Sequence, residues 1–357
     1  MAATQICIAC SSAMSRTATT DSFLQRIWYE SSAAYWILLP FSWLFAGLVS
    51  IRRRLYQRGV LNGIRINRPV VVVGNMTVGG TGKTPVTIWL ARQLKDRGMN
   101  PGIISRGYGG SVGHDPLQVS PDSDPAIVGD EAVLMARRSG CHVVVHPNRV
   151  RAAQDLSMLG VDVVISDDGL QHYRLAREYE IAVIDGTRGF GNGHLLPAGP
   201  LREPLSRLAS VDRAILNKSV MRSERALSDL PEGLPVTEFY LKGTSARSLD
   251  DSEDVSLERF AGKEVHGVAA IGNPGRFFTF LESHGMQVIE HAFPDHAKLT
   301  EEDLRYDDDL DVLMTEKDAV KCADLKIDKC WYVPVRVEVD QPQDWLDELQ
   351  ERLSVND

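Results

Sequence analysis

Cysteine is scarce, with five in 357 residues. An odd handful in a chain this long makes no disulfide framework. Cys7 and Cys10 form a Cys-x-x-Cys pair, but no strand–helix pattern surrounds them, so a redox role is not expected. Positive charge is short as well. Lys and Arg number 39 against 48 Asp and Glu, a formal net charge of −9. That balance argues against a dedicated nucleic-acid binder. Repeats and low-complexity blocks are missing, and the composition is too polar for a chain that crosses a bilayer many times. What is present, 43% hydrophobic and 24% charged residues, suits a globular protein of two domains or one enlarged domain.

The charge is unevenly spread. Residues 1–70 hold eight Lys/Arg and two Asp/Glu, so the acidic excess lies in the rest. Nothing charged falls between Glu30 and Arg52, and 15 of the 21 residues Ser31–Ile51 are apolar or aromatic. A helix of that length reaches across the roughly 30 Å hydrocarbon core of a bilayer. Trp28, Trp36 and Trp43 lie in or beside it, and Arg52-Arg53-Arg54 follow, with Arg58 behind. Interfacial aromatics and a cytoplasmic basic cluster have this pattern. A cleaved signal peptide fits poorly, because the run is long, starts late and lacks a small-residue cleavage site. A buried core helix is the alternative to a membrane-associated one. Pro40 predicts a kink, which leaves both a full span and a kinked interfacial helix open.

Beyond this segment strands alternate with helices. Val70–Val73, Ile103–Ser105, Val143–Val145, Val161–Ser166, Ile181–Asp185 and Ala214–Leu216 read as buried strands. Thr84–Arg97, Glu131–Arg138 and Val150–Leu159 read as helices between them. The expected fold is α/β, a doubly wound, mostly parallel sheet of the phosphate-loop NTPase kind. The pattern fades over 222–258. It resumes with Val265–Ile271, Gly275–His284, Val312–Met314 and Trp331–Val337 as a smaller C-terminal α/β unit. The expected division is a poorly ordered tail at 1–22, a membrane-associated helix at 23–60, a core at 61–225 and a second domain at 226–357.

The sharpest motif is Gly74-Asn75-Met76-Thr77-Val78-Gly79-Gly80-Thr81-Gly82-Lys83-Thr84, which follows a strand and opens a helix. Thr77, Val78, Gly79, Gly80, Thr81 and Gly82 would turn main-chain N–H groups around phosphate oxygens, aided by the helix dipole. Lys83 would reach the β- and γ-phosphates, and Thr84 would bind Mg²⁺. The strict pattern wants glycine where Thr77 stands, so the loop is a variant carrying Gly79-Gly80 inside it. By itself it also suits a switch or transport ATPase working with a protein partner at the membrane. Such a protein needs no base for an acceptor hydroxyl.

Acidic residues at the C-terminal end of a parallel strand face the ligand crevice. Asp167 and Asp168 in Ser166–His172 are placed for the Mg²⁺ shell, or they are a turn pair. Asp130 opens a helix and reads as a cap or as a proton acceptor. Arg202-Glu203 sits in a Pro-rich loop and reads first as a surface ion pair. His296 in Phe293–His296 is only weakly suggestive alone. Asn217-Lys218 reads as a strand end, and Thr315-Glu316-Lys317-Asp318 as a helix cap. Arg106, Arg149 and Arg151 could face a substrate phosphate or be solvated surface.

Together these motifs resemble one family, the tetraacyldisaccharide 4'-kinases (lipid A 4'-kinases) of Gram-negative bacteria. The resemblance is carried by GNMTVGGTGKTP (Gly74–Pro85), ISRGYGG (Ile104–Gly110), GDE (Gly129–Glu131), SDDGLQH (Ser166–His172), LLPAGPLREP (Leu195–Pro204) and FPDH (Phe293–His296). It implies ATP-dependent phosphorylation of the 4'-hydroxyl of a tetraacyl disaccharide 1-phosphate in lipid A biosynthesis, with ATP and Mg²⁺ as cofactors. It also implies anchoring at the cytoplasmic face of the inner membrane. Carried over by motif, Asp130 looks like the catalytic base paired with His296, with Lys83 at the phosphoryl group. Asp167, Asp168 and Glu203 look like the Mg²⁺ and phosphate-region acids, and Arg202 like a phosphate-facing arginine. The expected partners are the lipid A disaccharide 1-phosphate and inner-membrane lipid, with no nucleic acid and no obligate protein partner. Family members usually have a shorter N-terminus, so Met1–Thr20 stand outside the resemblance. Since Asp130 and His296 fall in different expected domains, domain closure would assemble the site.

Overall fold

Val70–Gly74 (β1) is four valines and a glycine, and every residue is buried. A strand apolar on both faces belongs in the middle of a parallel sheet covered by helices on each side. The computed structural model describes residues 24–30, 33–218 and 228–354 and puts β1 there. The whole of the expected tail, Cys7 and Cys10 included, lies outside the described residues. After a helical turn at 24–29, the described α-helices of six or more residues are α1 (Tyr35–Gln57), α2 (Lys83–Asp96), α3 (Asp130–Ser139), α4 (Arg149–Ser157), α5 (Pro274–Ser283), α6 (Glu316–Lys321) and α7 (Gln343–Ser354).

The first sheet contains β1, β2 (Pro101–Ser105), β3 (Leu117–Val119), β4 (His142–Val145), β5 (Val163–Asp167), β6 (Tyr179–Asp185), β7 (Arg213–Asn217), β8 (Val236–Lys242) and β15 (Arg336–Val339). Their order is β15-β8-β7-β6-β1-β5-β2-β4-β3. Neighbours run parallel except at the two edges, β15 on β8 and β3 on β4. Side-chain alternation along β1 divides the core between the two faces. Val71 and Val73 pack with Leu90 and Leu94 of α2, Met135 of α3 and Leu349 of α7. Val70 and Val72 pack with Val150 and Leu156 of α4 and with Leu208.

The second sheet contains β9 (Ser245–Ser248), β10 (Asp254–Ser256), β11 (Glu264–Ala269), β12 (Gln287–Ala292), β13 (Asp311–Thr315) and β14 (Cys330–Val333), in the order β10-β9-β14-β13-β11-β12. The run Trp331–Val337, expected as one strand, is two. Pro334 has no N–H for a ladder, and around it the chain changes sheets, from β14 in the second to β15 in the first. The reverse crossing passes from β8 to β9 through Gly243 and Thr244. Strands β8, β9 and β10 occupy much of the stretch where the pattern faded. Thus β8, β15 and α7, all beyond residue 226, complete the sheet expected to end at 225.

Helix α1 docks along one side only. Ser42 Oγ donates to the Leu195 carbonyl at 2.7 Å, Arg53 donates to Ser210 at 3.0 Å, and Tyr56 lies against Tyr173. Tyr35 stacks on His194 at the other end, so the helix lies alongside the first sheet's unit rather than projecting from it. It continues through Pro40. Only Leu39 and Ser42 are buried in it, which excludes the core-helix alternative. The outer face carries Trp36, Ile37, Phe41, Trp43, Leu44 and Leu48, with Trp43 68% exposed.

The packing of α7 is open to a direct check. Leu346 is fully buried in the core shared with β1. Leu346→Ala should cost about 2–5 kcal/mol in chemical denaturation. A loss within error of zero would mean that α7 does not belong to this core.

Candidate active site

The phosphate loop is braced from outside. Val78 N–H donates to the Pro200 carbonyl at 2.9 Å, and Arg202 N–H to the Met76 carbonyl at 2.8 Å. Thr77 pairs with Leu201 through a lone bridge. Gly82 caps α2 with φ 95°, and no side chain satisfies the cap. The first N–H groups of α2 are therefore available to an anion. A Cβ on Gly82 would lie 3.0 Å from Asn217 Nδ2, so glycine serves both the backbone angle and the close approach. Asn217 is more than a strand end. Its amide donates to the Thr81 carbonyl at 3.3 Å, and Arg276 from the second unit donates to its Oδ1. Among the described residues, the buried Thr81 hydroxyl and Asn75 amide oxygen have no partner.

Asp167 and Asp168 end β5 beside the loop, but their surroundings differ. Asp168 receives Arg202 at 2.9 and 3.0 Å and lies 3.6 Å from Lys83 Nζ. Burial alone would raise its carboxyl, yet Lys83 and Arg202 hold it far below the usual carboxylate range. Asp167 is buried and accepts only the Thr87 hydroxyl, at 3.1 Å, among side-chain donors shown. Burial and the charges of Glu131 and Asp168 push it up to about 7. Asp167 and Asp168 line the cleft together with Thr84, and two carboxylates and a hydroxyl are a fitting donor set for Mg²⁺. That ion takes one or two carboxylates and fills its remaining positions with phosphate and water. No cluster of three metal-binding side chains occurs among the described residues, and such an ion does not need one.

Glu203 lines the same cleft as Asp168 and Arg202. Arg202 faces Asp168, while the Glu203 carboxylate is occupied by the Tyr173 hydroxyl, Gln171 and Arg207. Of the three further arginines, Arg149 is buried and donates to the Asp167 carbonyl at 2.8 Å. Arg106 lines the cleft, whereas Arg151 pairs with Asp115 at the outer surface.

Across the cleft lies the second cluster. Gly129, with φ 91°, takes the N-cap position of α3, so Asp130 is the first helical residue. Its Oδ1 accepts the Glu131 N–H at 2.8 Å, and both oxygens lie 3.1 Å from His296 Nδ1. His296 comes from the loop after β12, with φ 61° and its ring 4.8 Å from that of Tyr108. Burial would raise Asp130, but the His296 hydrogen bond and the Lys317 charge hold it below the usual range. Burial would lower His296, but the Asp130 hydrogen bond lifts it above its ordinary value. Lys317 does more than help cap α6. Its Nζ lies 2.9 Å from Glu131, 3.4 Å from Asp295 and 3.4 Å from His296 Nε2. No sequence signal marked it beyond its polar setting after a strand.

One cleft of about 1780 Å³ takes in Gly79–Thr84, Asp167, Asp168, Arg202, His296 and Lys317, together with Phe45, Val49 and Arg52 of α1. A phosphate cradle on one wall, and on the other an imidazole backed by a carboxylate, suit phosphoryl transfer to a hydroxyl. The class is a phosphate-loop kinase. The family model described as Tetraacyldisaccharide-1-P 4'-kinase matches residues 34–354. A tetraacyldisaccharide 4'-kinase of Nitrosococcus oceani is 48% identical over 320 residues, 89% of this chain and 91% of that one. One of Methylobacillus flagellatus is 47% identical over 322 residues, 89% and 92% of the two chains. The solved "apo" form of LpxK from Aquifex aeolicus, in complex with ATP, is 28% identical with a TM-score of 0.74, covering 90% of this chain and 99% of that one. The chain belongs to the tetraacyldisaccharide-1-P 4'-kinase family.

The coupling between Asp130 and His296 has a measurable sign. Asp130→Asn removes the charge that favours the imidazolium. The His296 titration midpoint, followed by NMR, should fall relative to the parent chain. An unmoved midpoint would mean that the two groups are not paired in solution.

Proposed function

We propose that this kinase transfers the γ-phosphoryl group of ATP to the 4'-hydroxyl of a tetraacyl disaccharide 1-phosphate, a step of lipid A biosynthesis. The observation that carries the reading is the Asp130–His296 pair, whose imidazole lines the same cleft as the phosphate loop while the carboxylate lies buried behind it. A switch ATPase has no use for that pair.

In this reading the N–H groups of Gly79–Thr84 bind the β- and γ-phosphates, and Lys83 neutralises charge between them. Arg202 orients the phosphates from its seat on Asp168. Asp130 accepts the proton of the 4'-hydroxyl as that oxygen bonds to the γ-phosphorus. The bond from phosphorus to the bridging oxygen breaks, and its electron pair leaves with ADP. His296 aligns the Asp130 carboxylate through Nδ1–H. Thr84, Asp167 and Asp168 would hold Mg²⁺, which when bound neutralises β- and γ-phosphate oxygens. Glu203 acts at one remove, fixing the loop that presents Arg202.

Helix α1 is read as lying in the inner-membrane interface at the cytoplasmic face. Docking near both of its ends supports this over a full span. Its apolar outer face suits the acyl boundary, and Arg52–Arg54 suit anionic headgroups. Phe45, Val49 and Arg52 reach the cleft from the same helix, so a lipid acceptor could enter from the bilayer side.

Two measurements test these statements. With labelled ATP, Mg²⁺ and the tetraacyl disaccharide 1-phosphate, the parent chain should yield labelled lipid. Asp130→Asn should lower kcat by roughly 10²-fold or more while nucleotide affinity changes little. No labelled lipid from the parent chain would sink the assignment. Separately, a Trp36→Ser/Phe41→Ser/Trp43→Ser variant should lose binding to vesicles containing anionic lipid, yet keep its fold by circular dichroism. Undiminished binding would remove α1 from the membrane contact.

A further inference from the structure

Lys317 reaches the site from the second unit, and its surroundings are unusually specific. An ammonium has three N–H donors and no acceptor. Three groups face it: Glu131 Oε1 at 2.9 Å, Asp295 Oδ1 at 3.4 Å and His296 Nε2 at 3.4 Å. The opposite ring nitrogen, Nδ1, faces both oxygens of Asp130 at 3.1 Å. Only one neutral tautomer satisfies both sides of the ring. With the proton on Nδ1, the ring donates to Asp130 and its bare Nε2 accepts from Lys317. With the proton on Nε2, a bare Nδ1 lone pair would face the Asp130 carboxylate at 3.1 Å and the Nε2–H would face the nearer ammonium at 3.4 Å, although Asp295 Oδ1 stands 3.6 Å away.

We propose that Lys317 is a positioning residue for the transfer: anchored on Glu131 and Asp295, its ammonium donates to His296 Nε2 and keeps the imidazole in the tautomer whose Nδ1–H points at Asp130. This rests on the kinase reading, in which Asp130 takes the hydroxyl proton. Lys317 also opposes protonation of the ring that Asp130 promotes. An imidazolium locked on Asp130 would neutralise the carboxylate and weaken it as a proton acceptor. The groups facing the imidazole are Asp130 and Glu131 from α3, Lys317 from α6, Asp295 from its own loop and Tyr108 from the loop after β2. Lys321 of α6 is turned to Asp318 and to the Ala297 carbonyl.

The test uses the full chain with ¹⁵N-labelled histidine. Above its titration midpoint, parent His296 should carry its proton on Nδ1. Finding it on Nε2 overturns the proposal, and this readout needs no variant. Lys317→Met keeps the apolar stem and removes the charge. The His296 midpoint should rise by roughly one pH unit, because a like charge in contact is gone and Glu131 and Asp295 are left unneutralised. The acid limb of the kcat profile should rise with it, while KM for ATP stays within about twofold. Lys317→Arg should return both toward the parent. A midpoint that stays or falls in Lys317→Met, or activity lost equally at every pH with the limb unmoved, overturns the proposal. Failure of the parent chain to phosphorylate the lipid would strike the function reading alone, because tautomer and midpoint are read without turnover.

Discussion

The site depends on one contact between the two sheets, His296 against Asp130. The imidazole comes from a loop of the second unit in a left-handed conformation, and the carboxylate opens a helix of the first. What fixes their separation is a set of charged contacts along the same seam. Arg138 of α3 grips Glu316 of α6 with two 2.6 Å bonds, and Lys317 reaches Glu131. At the far side Arg276 reaches Asn217 and Arg188 reaches Asn273. In this structure the two residues already meet across that seam.

That seam also accounts for the unusual phosphate loop. Gly272, in the loop after β11, comes so close that a Cβ on it would lie 2.7 Å from the Gly80 nitrogen. Gly80 would in turn meet Gly272 and Asn273 at 3.9 Å. The second unit therefore forms part of the wall above the loop. Glycines sit where two backbones pass, and Thr77 sits where the loop is instead stitched to Leu201.

Charge follows the same division of labour. The body is acidic overall, yet Lys83, Arg202, Arg149 and Lys317 cluster where phosphate and a proton acceptor meet. Local cations rather than net charge prepare the site. Arg52, Arg53, Arg54 and Arg58 lie on or just after α1, the helix with the exposed apolar face.

Period and composition alone revealed the valine strand, the loop and helix α2 that follow it, and the apolar helix near the N-terminus, because each is a local pattern with a local cause. Asp130 and His296 were legible only through resemblance, since a helix-opening aspartate and a lone histidine look the same whether or not they meet. The crossing at Pro334 was missed because the apolar run on either side reads as one strand. Lys317 was read as part of a helix cap and Asn217 as a strand end, and their partners lie 186 and 136 residues away. Sequence by itself determined the elements and the phosphate cradle, which are set by hydrogen bonds and apolar spacing within a few residues. Tertiary structure decided which charges face one another, because that depends on how two sheets pack, and no local pattern encodes it.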